Sequence, residues 1–486
     1  MTSQETPWLV KTASQPLAGQ LAARLSERIH NGLLAPGARL PSVRQCAQQQ
    51  SVSPSTVVAA YDQLLAQGLV EARRNRGFFI RNRALARINQ AHVAIKTGAI
   101  SGPGGDGDPG LAPPPVPANA TALIRGMFHG GGDRLQPGLG AFPPDWLETG
   151  FLSAAVRRFT SGAQLQAFSL QYGEAAGDPG LRQALAGRLQ ALAIPAGASQ
   201  IMTTVGATHA LDIVSRTLLR AGDCVMVEEP GWAIEFARLD ALGMRILPVP
   251  RGPDGPDLAV MARYCELHAP KLFVSVSVLH NPTGYCLSPG SAHRVLQLAQ
   301  QYDFHIVEDD TYSHLAPDHA TRLSALDGLQ RTIYVSGFSK ILAPGWRVGF
   351  MAAPAKLFER LLDTKLLATL TTPALLEKAL AWCIDQGQLR RHAERIRIRL
   401  DLARARSVKL ALATGCTFAA PPTGLFGWVE TGVDTDTLAQ RMLDVGYLLA
   451  PGSLFHAARA PATLMRINFC TTQDAAFWQV FGEVRA

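Results

Sequence analysis

Residues 304–353 read FHIVEDDTYSHLAPDHATRLSALDGLQRTIYVSGFSKILAPGWRVGFMAA. Three strand-like runs lie in it: FHIVEDD, TIYVSGF and RVGFMAA. Each is short, apolar and bounded by turn-forming residues, the pattern of a strand buried on both faces. Upstream, CVMVEEP (224–230) and KLFVSVS (271–277) repeat it, and the helical stretches ATHALDIVSRTLLRAG (207–222) and GSAHRVLQLAQQYD (290–303) alternate with such runs. That alternation predicts a largely parallel sheet covered on both faces. Beyond residue 373 the long helical stretch 374–412 precedes a mixed α+β ending.

Upstream of about residue 121 the chain changes character. The stretch 101–120, SGPGGDGDPGLAPPPVPANA, is rich in Gly and Pro. It has too few apolar side chains to bury, so residues 84–120 read as a linker. Residues 14–83 read as a compact unit. Leu17, Leu21, Leu25 and Ile29 fall at helical spacing, a short helix starts at Ser42, and a third starts at Ser53-Pro54, a cap followed by proline in the first turn. Two strand-like pieces follow, LVEARR and GFFIR. Helix, helix, turn, helix and basic hairpin describe a winged helix-turn-helix.

Composition agrees. The 486 residues are 47% hydrophobic and 17% charged, which excludes a disordered chain. No apolar run is long enough for a membrane span, and the start carries no basic and apolar leader pattern. The seven cysteines are scattered and never spaced CxxC, so no disulfide framework or metal site is expected, and a reducing cytoplasm is. The net charge is +8, of which +6 falls in residues 1–83. A basic head on a near-neutral body points to a polyanion partner.

The stretch 34–80, LAPGARLPSVRQCAQQQSVSPSTVVAAYDQLLAQGLVEARRNRGFFI, resembles the GntR-type DNA-binding domain. The resemblance implies that Arg44, Ser53, Ser55 and Thr56 face double-stranded DNA and that Arg76 and Gly77 form the wing tip. Hydroxyls at a helix N-terminus suit phosphate, and arginine suits phosphate or guanine. Pro54 stands where many relatives have a basic residue.

In the body, YGEAAGDPGLR, TVGATHAL, EEPGW, HNPTG, EDDTY, FSK…GWR and MRINF occur in that order. Each alone has an ordinary structural reading as a cap, turn, core or surface residue. Together they resemble the class I/II aminotransferases, which are α/β fold-type I pyridoxal-phosphate (PLP) enzymes with a smaller α+β lobe. The resemblance implies a body of residues 121–486, its large lobe at about 150–372 and its small lobe at about 121–149 and 373–486. It implies that Lys340 holds the cofactor as a Schiff base and moves the proton, chemistry an amine can perform. Asp309 pairs with the pyridine nitrogen; Asp310 is adjacent, but the spacing to Tyr312 favours Asp309. Asn281 and Tyr312 reach the ring hydroxyl oxygen, and Trp232 stacks on the ring. Ala207, Thr208 and Arg347 hold the phosphate, as does Tyr172 from the partner of a head-to-tail homodimer. Arg466 clamps a substrate carboxylate. Gly337 stands where a phosphate-binding hydroxyl is common, so Ser336 or Ser339 substitutes. His209 is read equally as core or as support to the site.

A GntR-type head, a linker and an aminotransferase-like body together resemble the MocR subfamily of bacterial regulators. The implied function is a cytoplasmic transcription regulator that senses an amino acid, an amine or PLP through chemistry at Lys340. The alternatives are a working aminotransferase with a DNA-binding appendage and a body that only dimerises.

Overall fold

The computed structural model describes residues 15–30, 34, 38–73, 77–81, 136–147, 150–160 and 162–485. The linker, Arg76 and residues 121–135 lie outside the described residues. The chain divides into two compact units, Met1–Gly132 and Asp133–Ala486.

In the first unit, α1 (Leu17–His30) buries Leu21, Ala22 and Leu25. Helix α2 (Val43–Gln49) opens with a capping box, in which Gln45 N–H donates to Ser42 Oγ and Ser42 N–H to Gln45 Oε1. Helix α3 (Pro54–Ala66) begins after the Ser53 cap and buries Val57, Ala60, Tyr61 and Leu64. Strands β1 (Val70–Arg73) and β2 (Gly77–Ile80) pair antiparallel. Tyr61 ties the parts together. Its hydroxyl donates to Pro41 O at 2.9 Å, and its ring meets Phe78 edge-on at 5.0 Å. A buried tyrosine needs such a partner, since an orphaned hydroxyl costs about 1–3 kcal/mol. Arg39 bridges to Phe79, so the segment before α2 runs beside the hairpin.

The second unit opens with α4 (Gly150–Phe159), α5 (Gly162–Ser169) and α6 (Pro179–Ala191), the last capped by Asp178. Its centre is a seven-stranded sheet. In chain order its strands and helices are β3 (Ile201–Thr204), α7 (Ala207–Leu218), β4 (Cys224–Glu229), α8 (Ala233–Ala241), β5 (Arg245–Pro250), α9 (Leu258–His268), β6 (Leu272–Ser275), α10 (Pro289–Tyr302), β7 (His305–Asp309), α11 (Leu323–Asp327), β8 (Thr332–Gly337), β9 (Gly349–Ala352) and α12 (Ala355–Thr369). The spatial order is β3-β9-β8-β7-β6-β4-β5. All pairs are parallel except those of β9, which runs against both β3 and β8. No crossover helix lies between β8 and β9, only a loop with a single-turn helix at Pro344–Trp346, so the chain must return antiparallel. The parallel strands β4, β6, β7 and β8 end together at their C-terminal edge, where ligands of open α/β sheets gather.

The smaller lobe starts with α13 (Ala374–Asp385) and α14 (Gln388–Ala413), separated by Gly387 at φ +64°. Then come β10 (Thr417–Phe418), β11 (Phe426–Glu430), α15 (Thr435–Asp444), β12 (Ala450–Pro451), β13 (Leu464–Asn468) and α16 (Ala475–Arg485). The four strands form an antiparallel sheet ordered β10-β11-β13-β12, with Phe477, Trp478 and Phe481 of α16 buried. Residues 136–142 lie along it as a strap. Gly138 N–H donates to Leu448 O at 2.8 Å, and Asn468 N–H to Pro137 O at 3.1 Å.

Candidate functional site

Lys340 follows β8 and aims its Nζ at Gly140 O in the strap, 2.7 Å away. Burial, with the nearby charge of Arg466, lowers its pKa to about 8. Such an amine is neutral in a useful fraction near neutral pH, as a nucleophilic lysine must be. Asp309 ends β7. Thr311 donates its N–H and its hydroxyl to Asp309 Oδ1. Burial raises Asp309 to about 6 against those two bonds. Among the described residues, its Oδ2 has no hydrogen-bond partner. Trp232 caps α8 and lines a small cavity with Asp309, Glu235 and His280.

Tyr312 is buried beside Asn281, and its ring lies 5.9 Å from Lys340 Nζ. Arg466, from the middle of β13, completes the cleft. It is 6% exposed, yet has no carboxylate partner among the described residues. Its guanidinium donates to Asn281 Oδ1 at 3.1 Å and to Gly138 O at 2.6 Å. Its Nε is buried without a partner. Phe426 and Phe455 flank it, with their ring centroids 4.4 and 5.2 Å from its central carbon. Burial lowers its pKa to about 10. A buried guanidinium held only by neutral oxygens is electrostatically incomplete, and a carboxylate has the charge and geometry to complete it.

The third part is an anion cradle. Gly206 sits at φ +81° and caps α7 with no side-chain bond, which leaves the first-turn amides of Ala207 and Thr208 to a ligand. Arg347, itself at φ +51°, donates to Val205 O at 3.2 Å and covers Gly206 so closely that a Cβ there would lie 2.5 Å from its Nη2. Gly337 and Gly349 let the ends of β8 and β9 approach this turn: a Cβ on Gly349 would meet Gly206 C at 2.4 Å. Ser339 is half-buried next to Lys340.

The structure does not bring every expected residue here. Ser336 is fully buried and donates to Asp310 O at 2.8 Å, so its hydroxyl is consumed by the fold and cannot reach the cradle. Tyr172, expected at the phosphate of a partner subunit and not in this chain's own cleft, is 82% exposed. Asp310 is buried against Arg322 at 2.6 Å and Tyr334 at 2.9 Å, a structural ion pair, which leaves Asp309 as the carboxylate of the cleft. His209 accepts from Val205 N–H at 3.1 Å through Nδ1, and its Nε2 meets Thr369 Oγ1 at 2.9 Å, so it braces the cradle turn from behind. The strap carbonyls of Gly138 and Gly140 escaped the sequence reading. Their signal was the paired glycines of PGLGAF, whose lack of side chains lets backbone oxygens approach two cations.

These groups fit pyridoxal phosphate. They offer a low-pKa amine for its aldehyde, an open carboxylate for its ring nitrogen, and free amides with an arginine for its phosphate.

In the first unit, Arg44 is exposed on α2. Ser53 Oγ caps α3 by accepting from Thr56 N–H at 3.1 Å, and it lies 2.8 Å from the hydroxyls of both Ser55 and Thr56. The three hydroxyls form one cluster at the helix start. Gly77 begins β2 at φ +94°, and a Cβ there would lie 3.3 Å from Arg39 Nε. Arg39 is thus a cation beside the wing, outside the residues that the resemblance assigns to DNA.

A family model of class I and II aminotransferases matches residues 149–477, and one of gntR-family bacterial regulatory proteins matches residues 17–80. The "Probable rhizopine catabolism regulatory protein MocR" of Rhizobium meliloti is 30% identical, over 80% of this chain and 76% of that one. The HTH-type transcriptional regulator YisV of Bacillus subtilis (strain 168) is 27% identical, over 94% and 93%. Kynurenine aminotransferase of Pyrococcus horikoshii superposes with a TM-score of 0.68 at 25% identity, covering 74% of this chain and 93% of that one. Head and body together define a DNA-binding regulator built on the fold of a PLP enzyme. The chain belongs to the class I and II aminotransferase family and, by its gntR head, is a regulator of the GntR/MocR type. Pyridoxal phosphate is the cofactor of this fold.

Proposed function

We propose that the chain is an amino-acid-responsive transcription regulator whose cleft binds PLP at Lys340 and reads a ligand carboxylate with Arg466. The carrying observation is the buried Arg466 guanidinium, without an acidic partner, joined to Asn281 at 3.1 Å. Bound PLP supplies an aldehyde that takes a primary amine and a ring that withdraws electrons from it. The chain's own groups do the rest. Asp309 holds positive charge on the ring nitrogen. Asn281 and Tyr312 orient the ring oxygen, and Trp232 covers the ring face. Ala207, Thr208, Ser339 and Arg347 fix the phosphate. The contact of Lys340 with Gly140 O would be given up when PLP is bound, and the amine that an effector amine then frees from the cofactor would hold a proton nearby.

Arg466 then turns from the neutral carbonyl of Gly138 to the effector's carboxylate. That exchange gives the ligand different affinities for two arrangements of the strap, as a switch requires. The head (14–83) reads DNA through Arg44, the Ser53–Ser55–Thr56 cluster, and Arg76 and Gly77 of the wing, with 84–120 as the tether to the body (121–486). A head-to-tail homodimer sends Tyr172 to the partner's phosphate, consistent with exposed Leu170, Tyr172 and Leu367. The protein then acts in the cytoplasm, at the nucleoid. Lys340, with its pKa near 8, also supports a second reading as a working aminotransferase.

Titration with amino acids, followed in the visible spectrum, tests the proposal. A stable new band without keto-acid formation supports sensing. Repeated cycling with a keto acid supports turnover. No response of the band to any amino acid contradicts both.

A further inference from the structure

A cavity of about 490 Å³ lies in the second unit, away from the lysine cleft, among α6, α14 and the β8–β9 end of the sheet. Its size is that of small-molecule pockets. Leu185, Leu189, Phe338 and Phe350 are nearly fully buried and form an apolar floor. The polar lining is unusual. His314 is buried with no hydrogen-bond partner among the described residues, its ring 5.5 Å from that of Phe338. Burial, followed by the charges of Arg188, Arg322 and Arg397, lowers its pKa to about 3, so it is a neutral imidazole. Arg188 reaches Asp318 at 3.1 Å. Arg397 is half-buried and has no ion-pair or hydrogen-bond partner among the described residues. Arg390 and Glu394 stand one turn apart on α14 at the exposed rim. Three arginines against two carboxylates leave the lining net positive.

We propose that this cavity is a second ligand site, which takes a small organic anion with an aromatic or other apolar body. The apolar end lies on Leu189, Phe338 and Phe350, and the anionic group meets Arg397 and the imidazole of His314. An unpartnered guanidinium over an apolar floor favours such an amphipathic anion over either a neutral hydrocarbon or a bare inorganic ion. The place is also pointed. His314 is two residues from Tyr312, Phe338 is two from Lys340, and Tyr334 in the wall holds Asp310 beside Asp309. The cavity thus backs onto the elements that carry the lysine cleft, and the proposal does not rest on what that cleft binds.

Calorimetric titration of the full-length, PLP-loaded protein with phenylacetate, 4-hydroxybenzoate and indole-3-acetate tests it, with 2-phenylethanol as the neutral comparison. At least one carboxylate should bind once per chain, with the alcohol at least about tenfold weaker. Arg397→Ala should weaken binding about tenfold or more, with Arg188→Ala as an independent second variant, while Arg466→Ala leaves it in place. Three results overturn the proposal: no binding below about 5 mM by any of the three, binding indifferent to both Arg397→Ala and Arg188→Ala, or binding abolished by Arg466→Ala, which would place the anion in the lysine cleft.

Discussion

Arg466 Nη1 donates to Asn281 Oδ1 at 3.1 Å, across 185 positions of sequence. One residue belongs to the small lobe's sheet and the other to a turn of the large lobe. The group read as the carboxylate clamp and the group read as a holder of the ring oxygen are therefore one hydrogen-bonded unit. Whatever pulls on Arg466 is felt at Asn281.

Arg466→Ala should raise the amino-acid concentration needed to change the visible spectrum by about 30-fold or more, the cost of removing one partner of a buried charge pair, on the order of 2–5 kcal/mol. PLP binding itself should change much less. Spectral titration of both proteins with the same amino acid checks this. Equal midpoints would remove Arg466 from ligand recognition.

Lys340 makes coenzyme capture pH-dependent. Its pKa is near 8, so the neutral amine increases as pH rises through that value. The rate at which cofactor-free protein takes up PLP should climb between about pH 7 and 9 and then level off. Lys340→Ala should abolish the visible band of the lysine-bound form. Stopped-flow absorbance across that range gives the profile. A flat profile would contradict the lowered pKa.

Asp309→Asn should stabilise the cofactor-free protein while damaging coenzyme binding. The native carboxyl is raised from 3.8 to about 6, so the folded state binds more protons than the unfolded between those values. Stability is therefore lost as pH rises from about 4 to 6, and the full cost is present at pH 7. Asparagine removes that cost, about 1–3 kcal/mol after allowance for partial exposure. Thermal unfolding at pH 7 should show the gain, and at pH 4 the gain should vanish.

Gly206→Ala tests the cradle. The new Cβ would sit 2.5 Å from Arg347 Nη2, at a backbone angle of +81°. Strain of about 1–3 kcal/mol should loosen PLP by about tenfold. Equilibrium dialysis of PLP measures it, and an unchanged affinity would place the phosphate elsewhere.

In the head, Arg44→Ala and Arg39→Ala should each weaken DNA binding and lower the salt slope by about one. Ser53→Ala should cost about 1 kcal/mol of domain stability through the lost cap. Fluorescence anisotropy at several salt concentrations separates a phosphate contact from a folding defect.

Much of this molecule was legible as pattern. The buried runs around residues 224–352 appear as strands because both faces of a parallel sheet are covered, and continuous apolar stretches mark that. Strand β3 escaped because Thr203 and Thr204 interrupt the pattern. Strand β5 escaped because Pro248 and Pro250 argue against a strand, yet it lies at the sheet edge, where a missing N–H is tolerated. The grouping of Lys340, Asp309 and Arg466 was legible because each lies in a recognisable motif. The contacts of Gly138 and Gly140 were not, since a backbone carbonyl leaves no residue-type signal. Ser336 was misplaced because sequence does not tell which side of a strand end faces the core.

The most direct test joins the two units in one experiment. DNA selected by the full-length protein from a random pool is titrated with the PLP-loaded chain, with and without an amino acid that alters its visible spectrum. A cleft-controlled switch predicts that DNA affinity shifts at the same amino-acid concentration as the spectrum, and that Lys340→Ala abolishes the shift while still binding DNA. An amino acid that is converted to keto acid and leaves DNA affinity unchanged would contradict it.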